Sequence, residues 1–291
     1  MGTYQYTMLI PDSGTIRLMT LLPGAFDDDI RITLKTSLLA TWYKPTYEAL
    51  SYTWGSPQNP VSIFVGASGD ATLLVTQDLA TALWYLRELD GERVLWIDAV
   101  CVNQHDLEER GRQVQRMADI YIMAARVVLW LGPGSHDSAK ALSTMQFVSS
   151  QIDVDWLSGN MKPSSQGNAT WADFDKRLQL HNDILKSPTS LFNRSWFKRL
   201  LIWQEASLNE NTLVLCGNQS LGWKSLRDAV FCCLYKLRTA AVMEPSERAF
   251  DDSIRKAWMV SNGSGIPSLT DCLEITSYCD CSDPRDRIYA L

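Results

Sequence analysis

Histidine is scarce in this chain: only His105, His136 and His181 occur in 291 residues. A histidine-based acid–base mechanism therefore has few candidates. The phosphate-cradling Walker loop and the dinucleotide pattern Gly-x-Gly-x-x-Gly are missing. So is the hydrolase pattern Gly-x-Ser-x-Gly, which Gly263-Ser-Gly265 matches only superficially. No basic start followed by an apolar run opens the chain, because Pro11-Asp-Ser-Gly14 interrupts it, so no secretory leader is expected. The longest apolar stretch, near Ile120 to Leu131, contains Arg126 and is too short to span a bilayer. Gly2 suggests myristoylation, but Tyr6 stands where that motif needs Ser or Thr. Positive charge is in deficit as well. The net charge is −6, and the richest basic cluster is the short run Arg194-Ser-Trp-Phe-Lys198-Arg199. That balance argues against a nucleic-acid footprint.

Cysteine is present but unpatterned. The seven residues Cys101, Cys216, Cys232, Cys233, Cys272, Cys279 and Cys281 are an odd number at irregular spacings. They make no secreted disulfide framework. No Cys-x-x-Cys pair or neighbouring histidine completes a zinc set around the last three. Buried, reduced thiols, no metal and a cytoplasmic location are the expectation.

Hydrophobic residues make up 46% of the chain and charged residues 21%, ordinary values for a globular protein. The length suffices for one large domain or two small ones. Tryptophan is abundant, with eleven residues available for packing, a flat-ligand pocket or a partner surface.

Apolar periodicity predicts strands at Ile16 to Leu22 and Tyr47 to Trp54. It also predicts a hairpin from Val61–Val65 and Ala71–Val75 around Gly66-Ala-Ser-Gly69. Asp27 to Leu39 is a second short segment of mixed character. Thr76 opens a helix through Leu79, Leu83 and Leu86. Arg93 to Asp98 and Val127 to Leu131 are nearly continuous apolar strands of the kind buried on both faces. Between them, Asp106-Leu-Glu-Glu109 reads as a capping box. The helix it starts is expected to reach about Ala125, with Leu107, Val114, Met117, Tyr121 and Ala124 on one side. Strands and helices alternating with short connections predict an α/β fold with parallel pairing. Beyond Gly134, helices are expected at Ser135 to Ser150, Trp196 to Leu208 and Trp223 to Thr239. A strand is expected at Thr212 to Leu215, a surface loop from Ser158 to Thr170, and a flexible break at Ser261-Asn-Gly-Ser-Gly265. No internal repeat or low-complexity tract is present.

Cys101 and His105, four residues apart, could form a thiolate pair, but a buried thiol beside a helix-start histidine is the better reading. Four blocks join strand ends to polar residues: Tyr47 to Gly55, Leu95 to Asp106, Arg194 to Glu205, and Asp283 to Ala290. Ligands of open parallel sheets gather beyond the carboxyl ends of strands. Ser51, Trp54 and Gly55 fall at one such end, and Asp98, Asn103 and Gln104 at another. Asp98 capping a turn and Asn103 bonding backbone are the structural alternatives.

At these blocks the sequence resembles the fungal HET (heterokaryon incompatibility) domain family. The resemblance rests on Tyr47-Glu-Ala-Leu-Ser-Tyr-Thr-Trp-Gly55 and on Trp96-Ile-Asp-Ala-Val-Cys-Val-Asn-Gln-His-Asp106. It continues through Glu109-Arg110, Gln113-Val114, Arg194 to Gln204-Glu205, and Pro284-Arg-Asp286. Val102 replaces a usual Ile. Leu201 stands where the family has Trp, with Trp203 two residues later, which puts an aromatic wall beside Glu205 in question. The resemblance implies one domain over 1–291 within a longer protein. A TIR-like, flavodoxin-like core would occupy about 47–132 plus 194–240, with a parallel sheet flanked by helices. An N-terminal β-hairpin region and helical insertions, chiefly about 134–193, would surround it, and a family segment would occupy 270–291.

By the same resemblance, Ala49 to Tyr52, Val94 to Asp98 and Val127 to Leu131 correspond to TIR core strands. Glu205 takes the place of the glutamate that is catalytic in NAD-cleaving TIR members. Cleavage of the nicotinamide–ribose bond passes through an oxocarbenium-like transition state, which one carboxylate can stabilise. The neutral leaving group needs no acid, and no cofactor or metal is implied, NAD being the substrate. Tyr52, Trp54 and Gly55 would line the cleft with Ser51 nearby, and Asp98, Asn103 and Gln104 would form its rim. Arg199 could meet phosphate, or equally form a salt bridge. The implied partners are NAD or a related nucleotide, further copies of the chain on activation, and other incompatibility proteins in programmed cell death. The implied alternative is a non-enzymatic scaffold that works by homotypic assembly.

Overall fold

The computed structural model describes residues 2–11, 13–40, 42–178, 180–199, 202–238 and 243–261. The chain divides into two compact units, Met1–Pro133 and Gly134–Leu291.

The first unit is a mixed sheet with helices against it. In chain order it contains β1 (Gly2–Thr3), β2 (Thr15–Leu21), β3 (Arg31–Leu38), β4 (Glu48–Tyr52), β5 (Val61–Val65) and β6 (Ala71–Val75). There follow α1 (Gln77–Leu86), β7 (Arg93–Trp96), α2 (Asp98–Cys101), α3 (Leu107–Gln115), α4 (Met117–Met123) and β8 (Arg126–Trp130). The strand order is β1-β6-β5-β3-β2-β7-β4-β8. β4 lies parallel to both β7 and β8, as the alternating pattern predicts. β2 joins this core antiparallel to β7 and to β3, and β5 and β6 form the expected hairpin.

Each central strand is apolar because both its faces are covered. Ala49, Leu50, Leu95, Trp96, Val127, Val128 and Leu129 are all buried. Thr76 caps α1 through its hydroxyl, which accepts from Leu79 N–H, and Leu79, Ala80, Leu83 and Leu86 are buried. Two tyrosines tie β4 to α4: the Tyr47 hydroxyl donates to Ile120 C=O, and the Tyr121 hydroxyl to Leu50 C=O. At the amino ends of the strands Glu48 accepts from Arg93 at 2.6 Å and faces Arg126 at 3.4 Å. This polar ladder leaves the carboxyl ends for other work.

The helix expected from Leu107 to Ala125 is two helices. Arg116 breaks it at φ −103°, ψ 2°, and its guanidinium donates to the carbonyls of Gly14, Thr15 and Leu39. The expected apolar face is also corrected in its first half. Leu107 and Val114 are exposed (69% and 52%), whereas Glu109 and Gln113 are buried. Long-range polar pairing outweighs the local pattern there: Glu109 meets Arg17, and Gln113 donates to Thr15 C=O.

The second unit contains α5 (Ser138–Ser150), β9 (Ile152–Asp155), β10 (Asn160–Pro163), α6 (Ala169–Ala172) and α7 (Asn182–Phe192). It continues through a 3-10 turn (Ser195–Lys198), α8 (Ile202–Ser207), β11 (Thr212–Cys216), β12 (Gln219–Gly222), α9 (Trp223–Arg238) and α10 (Pro245–Ser261). Helices α5, α7, α9 and α10 pack through Met145, Val148, Leu185, Phe192, Phe231 and Ile254. The expected surface loop at 158–170 instead holds β10, paired antiparallel with β9. The helix expected from Trp196 to Leu208 is interrupted, with Arg199 extended at φ −76°, ψ 145°. No helix among the described residues is long and apolar enough to cross a membrane. The break expected at 261–265 falls almost wholly outside the described residues. Leu201, the family segment at 270–291, and Cys272, Cys279 and Cys281 also lie outside them.

Candidate functional site

In the first unit, the parallel strands β4 and β7 end side by side, and their carboxyl ends carry a polar cluster. Trp54 is 41% exposed, yet its indole is fixed: Nε1 donates to Asp98 Oδ2 at 2.9 Å. The other oxygen of Asp98 accepts from Ala99 N–H at 2.8 Å. Gln104 donates its side-chain amide to the Asp98 carbonyl at 2.8 Å. Asn103 accepts from His105 N–H at 3.2 Å, closing the turn that leads into α3. Gly55 is left-handed at φ +72°, and a Cβ there would overlap the Asp78 carboxylate. Only glycine meets both conditions. Trp54 and Gln104 thus both meet Asp98, and Gly55 follows directly on Trp54. Ser51 and Tyr52 are buried within the sheet.

Behind this cluster lies a pair that no local pattern announces. Glu109 is buried and accepts from Arg17 Nη1 and Nη2 at 2.5 and 2.8 Å. It also accepts from Asn103 N–H at 2.8 Å, which ties the strand-end turn to β2. Burial pushes the Glu109 carboxyl up, but the Arg17 and Asn103 hydrogen bonds outweigh it and hold the group below its ordinary range. The capping box is therefore half formed. Asp106 accepts from Glu108 and Glu109 N–H, while the Glu109 side chain serves Arg17. Arg17 and Glu109 are 92 residues apart, so only a contact across the sheet could reveal them.

Cys101 is buried and its thiol is pushed up to about 12 by that burial. It therefore stays protonated, packed against Leu95 C=O and Ile97 N–H, while His105 is exposed. This arrangement supplies no thiolate nucleophile. Among the described residues no group of three or more His, Cys, Asp or Glu side chains is placed to hold a metal.

In the second unit, the segment from Arg194 to Glu205 builds a different kind of site. Trp196 and Phe197 are buried in the 3-10 turn, Trp196 against Trp223 and Phe197 against Phe192. Arg194 reaches Ser138 Oγ at 3.1 Å. Arg199, with extended backbone, reaches forward to the carboxylate of Glu205. Nη1 donates to Glu205 Oε2 at 2.9 Å, and Nη2 to Oε1 at 3.0 Å. Glu205 is 1% exposed. The fork geometry is the strong, planar form of the arginine–carboxylate pair. Arg199 thus takes the salt-bridge role open to it in the sequence.

The heterokaryon incompatibility protein (HET) family profile matches residues 47–205. Over 259 residues the chain is 32% identical to heterokaryon incompatibility protein 6, OR allele, of Neurospora crassa. That alignment covers 80% of this chain and 38% of the relative, so the chain spans well under half of that protein's length. No solved structure gives a significant match. The profile begins at the first residue of the Tyr47 block and ends on Glu205, enclosing both sites described above. The chain belongs to the heterokaryon incompatibility (HET) family.

Proposed function

We propose that this chain is an effector domain of fungal heterokaryon incompatibility, working inside the cell in programmed cell death as part of a longer protein. We further propose a TIR-like core built on β4, β7 and β8, with NAD as substrate once copies of the chain assemble. The supporting observation is the family match, which runs from residue 47 and ends on Glu205. Its carboxylate is buried and held by both arms of Arg199, so NAD cleavage requires this pair to open. Assembly supplies the opening. Glu205 then stabilises the oxocarbenium-like ribose, and Arg199, once released, becomes available to phosphate.

The same pair favours a second reading, a scaffold that signals by assembly alone. A buried, doubly bonded carboxylate is what a purely structural glutamate looks like. Expression in a fungus separates the two readings, with cellular NAD and viability followed together. The enzymatic reading expects wild type to deplete NAD and kill, and Glu205→Gln, present at equal folded level, to do neither. Killing by Glu205→Gln with NAD intact would leave the scaffold reading standing.

A further inference from the structure

The sheet of the first unit has an open edge. β2 pairs with β3 along its whole length, from Thr15 opposite Leu38 to Leu21 opposite Ile32. On its other side β3 is covered by β5 only at Arg31 and Ile32. The hydrogen bonds show which groups remain. Leu22 N–H donates to Arg31 C=O on the β2 side, while Phe64 and Gly66 N–H donate to Ile30 and Ile32 C=O on the other. Alternation therefore turns the main-chain groups of Leu34, Thr36 and Leu38 outward, and no strand pairs with them among the described residues.

From β3 inward, over β2 and β7, runs a groove of about 660 Å³ with β3 as its outer wall. Leu18, Thr20 and Val94 line it from the sheet, and Trp42 and Tyr43 from the segment that follows β3. Mutual main-chain bonds between Ala40 and Tyr43 hold that segment in a tight turn. Trp42 is 79% exposed and leans against Tyr43, with ring centroids 6.3 Å apart. Lys35 shares a face with Leu18, its register partner. Among the described residues lining the groove it is the one charged group, and no ion pair engages it.

We propose that this edge and groove bind an extended segment of a partner protein as an added strand. The outward groups of Leu34, Thr36 and Leu38 supply the main-chain bonds. One side chain of the segment, a carboxylate, meets Lys35, and a neighbour on the same face, apolar, packs on Trp42 and Tyr43. Charge selects this occupant over a second copy. Two copies paired edge to edge about Thr36 would set both Lys35 ammonium groups on one face as diagonal neighbours, a repulsive arrangement that guards sheet edges against self-pairing.

A displayed library of random decapeptides panned on the 291-residue chain tests this. Enriched peptides should share an Asp or Glu at a fixed spacing from an aromatic or aliphatic residue. Synthetic copies should lose about tenfold in affinity for Lys35→Glu, and a Lys in place of the peptide carboxylate should restore it. Thr36→Pro removes an outward N–H and no bond to β2, and should abolish binding. Trp42→Ala, at an exposed side chain, should weaken it without altering the melting temperature. Enrichment of no common pattern would overturn the proposal, as would undiminished binding to Lys35→Glu and Thr36→Pro. A dimer that Thr36→Pro dissociates would overturn the choice of partner over self-pairing.

Discussion

The two polar sites of this protein come from different segments of the same family pattern and are built in opposite ways. Around Asp98 the strand ends are held by hydrogen bonds from Trp54, Ala99 and Gln104, with the indole still half in solvent. Around Glu205 the carboxylate is sealed in and gripped by both arms of one guanidinium. A motif marks both equally, because it records residue types and not their surroundings. The difference teaches that residues of one family motif can stand half in solvent or wholly sealed, and that Glu205 must lose a partner before anything else can reach its carboxylate.

The sharpest way to break this comparison is to remove that partner. Arg199→Met removes both hydrogen bonds that the guanidinium gives the buried Glu205 carboxylate and should cost about 3–5 kcal/mol, read as a large fall in melting temperature. The double variant Arg199→Met/Glu205→Leu should recover most of that loss, since a buried pair replaced by apolar side chains is often neutral. A small loss from Arg199→Met alone would mean the pair already opens freely.

Glu109 offers a second, graded test. Because its carboxyl is held below the ordinary range, near 4.3 when unfolded, the stability it contributes is fully present above that value. This stability is lost as pH falls through the lower folded value. Glu109→Gln should cost about 1.5–3 kcal/mol at neutral pH, the range for a hydrogen bond to a charged group. Melting curves between neutral and acidic pH should also be flatter for the variant than for wild type. Equal slopes would remove the Arg17 pair from the account of acid stability.

Gly55→Ala comes next, at about 1–2 kcal/mol for the left-handed backbone, plus the clash with Asp78. Adding Asp78→Ala should relieve the clash and leave the backbone cost. The smallest effect belongs to Trp54→Phe. It removes the bond to Asp98 from a part-exposed site and should change stability by less than about 1 kcal/mol. If it destabilises as much as Arg199→Met, the distinction between open and sealed sites collapses.

These contrasts also explain what could be read in advance. The strands at 16–22, 47–54, 93–98 and 127–131 and the helix after Thr76 were legible because burial on both faces, or on one helical stripe, leaves a periodic mark. The hairpin at 61–75 announced itself through its glycines. The break at Arg116 and the burial of Glu109 and Gln113 left no such mark, since their partners, Gly14, Thr15, Arg17 and Leu39, lie on distant strands. The family segments pointed to Trp54, Asp98, Gln104 and Glu205. That Trp54 meets Asp98, and that Arg199 closes on Glu205, are facts of three-dimensional contact that residue types alone do not carry.

The measurement that bears most directly on the closed Glu205 is NAD turnover by purified protein, dilute and then forced to assemble by fusion to an oligomerising module. The account predicts no turnover when dilute, turnover on assembly, and none from assembled Glu205→Gln that melts as a folded protein. Turnover by the dilute chain, or its absence from the assembled wild type, would contradict it.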